Sequence, residues 1–271
     1  MESLLEQSFE CLRKDQCRSY LERLGMETPG RPGREFLDRL VRRHLEVIPF
    51  ENLTQVICHE TVSMDLERVY EKVVCGRRGG YCFELNALFL GLLRGLGYEG
   101  YPVACRVMRR PGLRMPTHRA NVVCLDGKEY FCDVGFGGIA CMRGALMECG
   151  TVTETDFGSF YFEPEYKGWL NFWHIPRGEG KDAAAKIMMV AQIPSAPIDF
   201  APANAAMCGE DSIFTQGVMV QKMTAWGPVS IDGDLYTYRG KNGKTVTQIG
   251  SQQELMKILK EIFGVELSKK A

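Results

Sequence analysis

The spacing of apolar residues changes along the chain and divides it into three parts. Residues 1–98 carry apolar side chains at helical spacing, most clearly at Phe36, Leu37, Leu40, Val41 and Leu45. Residues 99–200 hold short runs rich in β-branched and aromatic residues, separated by turn signals. Residues 201–271 combine further strand-like runs with one closing helix. The pattern predicts an α+β protein with a helical N-terminal domain, a β-rich middle domain and a smaller mixed C-terminal part.

Capping residues set the expected limits of the helices. Asp15 is a candidate N-cap and Gly25 a stop for the second helix, and Ser63 or Asp65 can cap a later one. Gly79-Gly80 before Cys82, and Gly95 and Gly97 after Arg94, mark the expected start and end of a further helix. The predicted helical stretches are 3–14, 15–25, 33–47, 65–74 and 82–96.

Strands and turns are expected in the rest of the chain. The clearest strand-like runs are YPVACRVMRR, HRANVVCL, KEYFCDVGF and AKIMMVAQI. The Pro- and Ala-rich stretch 194–207 has the composition of a crossing or linker. A meander follows with a hairpin turn at Asn242-Gly243, and Ser251 with Glu254 forms a capping box before the last helix.

Composition narrows the class of protein. Hydrophobic residues make up 45% and charged residues 25%, the balance of a soluble globular protein, and a formal net charge of −1 argues against a nucleic-acid or polybasic membrane surface. The start of the chain has no apolar signal-peptide core, so a cytoplasmic protein is the default expectation. The cysteines are odd in number (eleven) and no export signal is seen, which predicts reduced thiols rather than a disulfide framework. No CxxC pair occurs, which argues against a zinc site.

Cys82 has surroundings that the other cysteines lack. It follows Gly79-Gly80 at the predicted start of a helix, where unpaired N–H groups and the helix dipole stabilise a thiolate and can also serve an oxyanion. Arg77 and Arg78 add positive potential nearby. Cys82 is therefore a candidate nucleophile, and a buried structural cysteine at a helix start is the alternative.

A hairpin argument supplies a base and its orienting acid. Asp126-Gly127 between two alternating runs predicts a two-residue turn, which pairs Leu125 with Lys128. In that register His118 and Asp133 are diagonal neighbours on one face, within about 7–8 Å between backbone positions. A three-residue loop would reverse the parity and remove this pairing.

Each of these residues has a structural alternative, but together they favour one chemistry. A histidine at a strand edge is often structural, and an aspartate beside glycines is often a turn residue. A helix-start cysteine joined to a His–Asp pair builds a thiol acyl-transfer site. The predicted catalytic residues are Cys82, His118 and Asp133.

Five blocks occur in order along the chain: VIPFENLT, RRGGYCFELN, PTHRANVV, YFCDVGFGG and IDFAPAN. Together they resemble the arylamine N-acetyltransferase family. RRGGYCFELN resembles the family's RGGxCxELN signature, PTHRANVV its histidine segment and YFCDVGFGG its DVGFGG segment. VIPFENLT and IDFAPAN are similar to two further family blocks, in the same order along the chain. Residues 203–214, ANAAMCGEDSIF, depart from the family pattern.

The resemblance implies a fold and a reaction. The fold is a helical domain (1–98), a β-domain (99–200) and a C-terminal α/β lid (201–271), with a cysteine-protease-like triad between the first two. The reaction is ping-pong transfer of the acetyl group of acetyl-CoA through acetyl-Cys82 to an arylamine or arylhydrazine, with O-acetylation of arylhydroxylamines as a further option. No metal, nucleic acid or membrane is implied, and the oligomeric state is unknown.

The resemblance also implies binding residues. Phe50, Val107 and Phe136 match positions that line the acceptor pocket, although ordinary core packing is a rival for each. Thr117, Gly137 and Phe214 match positions near the pantetheine arm of CoA. Arg78 matches the signature arginine and is expected to support the loop before Cys82, the alternative being an exposed, solvated arginine.

Three other functions stay open from the sequence. A thiol hydrolase or transglutaminase-like acyltransferase would use the same triad with an amide donor. An amide synthase would take its acyl group from a carrier. A CoA-binding or thiol-sensing module would bind without turnover.

Overall fold

Helices dominate the chain before residue 99. The computed structural model describes residues 3–109, 112–241 and 243–267. The helices of this part are α1 Leu4–Gln7, α2 Lys14–Leu24, α3 Arg34–Val47, α4 Leu53–Val56, α5 Leu66–Tyr70 and α6 Cys82–Gly95. A π-helical turn, Glu71–Cys75, extends α5, and a short strand, β1 (Phe50–Glu51), follows α3.

An antiparallel sheet of eight strands follows. Its strands are β2 Glu99–Val107, β3 His118–Leu125, β4 Lys128–Cys132, β5 Ala145–Leu146, β6 Val152–Thr155, β7 Gly158–Pro164, β8 Trp169–Pro176 and β9 Ala185–Ala191. Their spatial order is β5-β4-β3-β2-β9-β8-β7-β6. Strand β2 lies at the centre and pairs with both β3 and β9.

The C-terminal part builds a second sheet and three more helices. These elements are α7 Ala201–Met207, α8 Ile213–Gln216, β10 Met219–Thr224, β11 Gly227–Asp232, β12 Leu235–Gly240, β13 Gly243–Gln248 and α9 Gln252–Glu261. The sheet order is β1-β10-β11-β12-β13. Because β1 belongs to the N-terminal part and pairs with β10, this sheet connects the N-terminal and C-terminal parts of the chain.

Helix α6 is the central element of the helical part. Every residue from Cys82 to Leu93 is buried, so the helix is apolar on nearly all sides rather than on one stripe. It packs against α2 and α5 and against β2 and β3. The nucleophile candidate therefore starts a helix that is held on several sides.

The α+β class is confirmed, and the helix limits are mostly as predicted. Gly25 ends α2 with φ +66°, and the Asp65 side chain accepts a hydrogen bond from the Arg68 N–H at the start of α5. The exact division into domains at residues 98 and 200 stays a prediction.

Asp15 as an N-cap is wrong. Arg13 occupies that position, because the Gln16 side chain accepts the Arg13 N–H at 3.1 Å and lets α2 begin at Lys14. Gln16 is itself fixed, since its amide donates to Glu67. The contact between Gln16 and Glu67, which lie far apart in the sequence, thus helps to fix the start of α2 at Lys14.

Two predicted segments differ in extent or type. The first helix ends at Gln7, and the Ser8 hydroxyl donates to the Leu5 carbonyl. The stretch predicted as a linker contains a 3-10 turn, Pro197–Phe200, and then α7. Pro197 and Pro202 lie in the first turns of these two elements, where a helix needs no N–H donor.

The turn signals were informative. Leu125 pairs with Lys128 as predicted, and Asp126 and Gly127 have φ of +52° and +71°. Asn242 of the second predicted turn lies outside the described residues. Ser251 caps α9 by accepting from the Glu254 N–H, although the Glu254 carboxylate accepts from Gly250 rather than closing the box on Ser251.

Candidate functional site

Cys82 is the first residue of α6 and lies at the end of a closely packed loop. A Cβ atom on Gly79 would approach the Pro49 carbonyl oxygen to 2.1 Å, and one on Gly80 would approach the Glu84 carboxylate to 2.7 Å. At Gly79 the clash is with the backbone, so only glycine fits there. At Gly80 the clash is with the Glu84 carboxylate, which is tied to Lys72 and to the Tyr81 N–H. The sequence places Cys82 at the helix start by this constraint.

Buried ion pairs hold this loop from beneath. Arg78 pairs with Glu51 at 2.9 Å and Lys72 pairs with Glu84 at 2.8 Å. The Glu84 carboxylate also accepts the Tyr81 N–H. Burial would raise the pKa of Glu51, but the charges of Lys72 and Arg78 lower it below its ordinary value. The alternative of an exposed, solvated Arg78 is therefore wrong.

His118 and Asp133 meet as the hairpin register requires. His118 starts β3, Asp133 follows β4, and the His118 Nε2–Asp133 Oδ2 distance is 2.7 Å. Both side chains are buried. The pair leaves Nδ1 of His118 as the ring nitrogen available to the Cys82 thiol.

The protonation of His118 is governed by its neighbours. Burial alone would lower its pKa, but the charges of Asp133 and Cys82 and hydrogen bonds to both raise it well above the ordinary value. The imidazolium is thus favoured at neutral pH.

Asn86 orients Asp133, and the sequence analysis did not identify it. Its Nδ2 donates to Asp133 Oδ1 at 2.9 Å, and its Oδ1 accepts the Val134 N–H at 3.0 Å. Asn86 lies four residues after Cys82, so both project from one face of α6. A polar residue within an apolar helix, one turn from the nucleophile, was the available signal.

A cavity of about 330 Å³ opens onto Cys82 and His118. All six predicted binding residues line it: Phe50, Val107, Thr117, Phe136, Gly137 and Phe214. Asp133 does not line the cavity and reaches it through His118. The structure brings the predicted site together, and the binding roles stay predictions.

Glycines shape the cavity wall at two points. A Cβ on Gly135 would lie 2.7 Å from the Cys82 Cα, and one on Gly137, with φ +62°, would lie 2.8 Å from the Phe50 ring. Both positions therefore allow the segment after Asp133 to pass close to the nucleophile and the aromatic wall.

The departing segment 203–214 takes part in the site. Met207, Ile213 and Phe214 line the cavity, so α7 and α8 cover it from the C-terminal part. The Tyr81 hydroxyl donates to Asn204 Oδ1, which joins this cover to the residue before Cys82. Within the described residues, no cluster of three His, Cys, Asp or Glu side chains could hold a metal, and no helix is long and apolar enough to cross a membrane.

Comparisons with known proteins indicate the family. A sequence model described as N-acetyltransferase matches residues 35–271. An arylamine N-acetyltransferase / N-hydroxyarylamine O-acetyltransferase of Salmonella typhimurium is 34% identical over 159 residues, which span 58% of this chain and 56% of that relative. Arylamine N-acetyltransferase 2 of Rattus norvegicus is 26% identical over 93% of this chain and 94% of its own.

A solved structure extends the likeness to the fold. The arylamine N-acetyltransferase of Mycobacterium abscessus superimposes with a TM-score of 0.82 at 28% identity, covering 93% of this chain and 90% of its own. The match of the sequence model across most of the chain decides the family. The chain belongs to the arylamine N-acetyltransferase family.

Proposed function

We propose that this protein transfers an acetyl group from acetyl-CoA to an arylamine or arylhydrazine through a thioester on Cys82. The observation that carries the proposal is the 2.7 Å His118–Asp133 contact in the same site as the Cys82 thiol. Relatives named arylamine N-acetyltransferases support the acceptor class.

The first half-reaction forms the acyl-enzyme. The Cys82 thiolate attacks the acetyl carbonyl carbon, the carbon–sulfur bond to CoA breaks, and the departing CoA thiolate takes a proton from the His118 imidazolium. The first intrahelical hydrogen bond of α6 is donated by the Glu84 N–H to Tyr81, so the earlier N–H groups face the start of the helix. Those groups are placed to stabilise the oxyanion that forms during the attack.

The second half-reaction discharges the acetyl group. The amine nitrogen attacks the acetyl-Cys82 carbonyl, neutral His118 takes a proton from that nitrogen, and the carbon–sulfur bond breaks. This step restores the thiolate–imidazolium pair. Asp133 keeps Nε2 of His118 protonated, so that Nδ1 faces the sulfur throughout.

The cavity lining divides between the two substrates. The aromatic and apolar side chains of Phe50, Val107 and Phe136 suit a flat acceptor ring. Thr117, Gly137 and Phe214 are proposed to contact the pantetheine arm, since Gly137 allows close approach of the backbone. O-acetylation of arylhydroxylamines would use the same acyl-enzyme.

Intact-mass spectrometry with acetyl-CoA and no amine tests the proposal. We expect one acetyl group on Cys82, located by peptide mapping and discharged when an arylamine or hydrazine is added. The matched control is Cys82→Ser, which should fold normally, as circular dichroism would show, and should stay unmodified.

Other outcomes would favour the alternatives. Binding of acetyl-CoA without an adduct would point to a carrier-bound acyl donor or to an idle binding module. The absence of both binding and adduct would return the site to a thiol hydrolase or transglutaminase-like reaction with an amide donor.

A further inference from the structure

Arg119 is a fully buried arginine that the mechanism proposed above does not use. It follows His118 directly in β3. Its two terminal nitrogens donate to the two carboxylate oxygens of Glu10, each at 2.7 Å. Only 1% and 9% of the two side chains are exposed, and no second carboxylate of the described residues pairs with Arg119 within 4 Å. The buried charge of Arg119 therefore depends on Glu10.

The segment that carries Glu10 packs along the last turns of α6. The Leu12 N–H donates to the Gly91 carbonyl at 2.9 Å. A Cβ on Gly95 would approach the Leu12 carbonyl oxygen to 2.6 Å, so the two backbones are in direct contact. We call residues 9–12 the N-terminal strap. Its backbone is fixed on α6, and it presents the Glu10 carboxylate to Arg119 from that position.

The backbone of Arg119 is joined to the catalytic pair. Its carbonyl accepts a hydrogen bond from Asn86 Nδ2 at 2.6 Å, and the same nitrogen donates to Asp133 Oδ1 at 2.9 Å. The other oxygen of Asp133 contacts Nε2 of His118. In a close-packed interior, a displacement of Arg119 would therefore disturb both its neighbour in the strand and the hydrogen bonds that orient the carboxylate.

The side chain of Arg119 also contacts the segment that leads into the cover of the site. Its guanidinium carbon is 5.1 Å from the centre of the Phe200 ring, directly before α7. The Phe200 ring lies 6.0 Å from that of Phe83, the residue after Cys82. The Glu10–Arg119 ion pair thus lies where the N-terminal strap, the start of β3 and the start of α7 meet.

Stability alone is a poor explanation for this ion pair. Desolvation of two buried charges is costly, and apolar side chains of similar volume often give a fold of equal stability. What apolar packing does not supply is a bidentate contact, which fixes both the direction and the distance between two segments. That geometric constraint acts one residue away from the catalytic histidine.

We propose that Glu10 is a positioning residue: through its ion pair with Arg119 it fixes the start of β3 and holds His118 and Asp133 in the geometry that acetyl transfer requires. This inference rests on the proposed acetyl transfer through Cys82. It adds to the site the N-terminal strap, which lies before residue 35, where the match to the family's sequence model begins.

The first test replaces Glu10 by glutamine, which keeps the shape and removes the charge. Acetylation of Cys82 by acetyl-CoA is followed in single turnovers by mass spectrometry. We expect the maximal rate in Glu10→Gln to fall about ten- to a hundredfold, because the imidazole is misplaced. The acetyl-CoA concentration that gives half the maximal rate should stay within about twofold of the wild-type value, since Glu10 and Arg119 do not line the cavity.

A double variant separates positioning from stability. Glu10→Gln leaves a buried positive charge without its partner, so its Tm should fall. Glu10→Gln/Arg119→Met lacks both charges, and most of the lost Tm should return while the acetylation rate stays low. If the rate returns together with Tm, the pair serves stability alone and the proposal is wrong. Glu10→Asp, which keeps the charge on a shorter side chain, should retain part of the rate.

Arg13 provides a matched control next to the N-terminal strap. It also forms a bidentate ion pair, with Glu67 at 3.2 Å in both contacts, but 62% and 51% of these side chains are exposed. Arg13→Gln should keep the wild-type acetylation rate and Tm, since exposed ion pairs contribute little. A loss of rate as large as in Glu10→Gln would show that any change in this segment inactivates the enzyme, and would overturn the specific role of Glu10.

The wild type distinguishes this inference from the proposed function. If neither acetyl-CoA nor p-nitrophenyl acetate acetylates Cys82 in the wild type, the proposed function is refuted and the role of Glu10 falls with it. If the wild type is acetylated and a folded Glu10→Gln reacts at the same rate, acetyl transfer stands and only the positioning role of Glu10 is refuted. Circular dichroism establishes that each variant is folded at the temperature of the assay.

Discussion

Two buried histidines, one in the helical core and one in the site, have opposite charge preferences. His44 on α3 contacts the Tyr20 hydroxyl at 2.7 Å, and burial lowers its pKa to about 3. His118 contacts the Asp133 carboxylate at the same distance, and its pKa is raised despite equal burial. The partner, a neutral phenol or a carboxylate, decides which form of the ring is stable.

The difference separates packing from chemistry. A neutral His44 fills space among Tyr20 and Phe89, with its ring edge-on to both. A charged His118 can hold a thiolate and move a proton. The same side chain therefore serves stability in one region and reactivity in the other.

The largest expected effect comes from Asp133→Asn, which removes the carboxylate from the site histidine. The introduced amide can keep its oxygen toward Asn86 only by turning its NH₂ group to Nε2 of His118. The imidazole proton then moves to Nδ1, the nitrogen that must accept a proton near Cys82. We expect kcat/KM to fall about 10³–10⁴-fold.

This variant is measured with a saturating acceptor and by the rate of Cys82 acetylation. Circular dichroism and thermal unfolding are the controls, because Asp133 also accepts the Gly135 N–H at 3.0 Å. If a folded Asp133→Asn variant turned over within tenfold of the wild-type rate, the His118–Asp133 pair would not be required for catalysis.

The site histidine could be paired from the sequence because one local turn sets its register. Asp126 and Gly127 both need positive φ, so the turn type, the pairing of β3 with β4 and the facing of His118 and Asp133 follow from two residues. The start of α6 followed likewise from Gly79 and Gly80. Local sequence rules were sufficient to predict the structure where the interacting residues lie close together in the sequence, as in this hairpin and at this helix start.

Contacts between distant segments could not be predicted in this way. The Asn52 side-chain amide donates hydrogen bonds to the Phe214 and Gly217 carbonyls, and the Tyr81 hydroxyl donates one to the Asn204 side chain. The partners in each of these bonds lie more than a hundred residues apart in the sequence. Nothing local specifies such pairs. For the same reason the helical character of 197–207 was visible only in the structure.

The second prediction concerns the pH dependence of stability caused by His44. Because its folded pKa is lowered to about 3, His44 takes up a proton on unfolding below its ordinary pKa of about 6.5, and stability falls as the pH falls from there toward 3. His118, with a raised pKa, contributes in the opposite sense: its stabilisation is present below the ordinary pKa and is lost as pH rises through the folded value.

Urea unfolding of the wild type and of His44→Gln isolates the contribution of His44 to the pH dependence of the free energy of unfolding. We expect the stability advantage of the wild type to shrink by about 2 kcal/mol between pH 8 and pH 5, because the variant lacks the group that protonates on unfolding. The contribution of His118 is common to both proteins and cancels. A constant difference between the two pH values would show that the pKa of His44 is not lowered in the folded protein.

The smallest expected effect belongs to Tyr20→Phe, which removes the hydroxyl that contacts His44 Nδ1. The variant keeps the ring and its packing but leaves a buried imidazole nitrogen without a partner. We expect a loss of about 1–2 kcal/mol in the free energy of unfolding and no change in the pH profile of acetyl transfer. Tyr20 and His44 do not line the Cys82 cavity. An altered pH profile would therefore mean that the two histidine regions are coupled through α6, which carries both Cys82 and Phe89, the ring that His44 contacts.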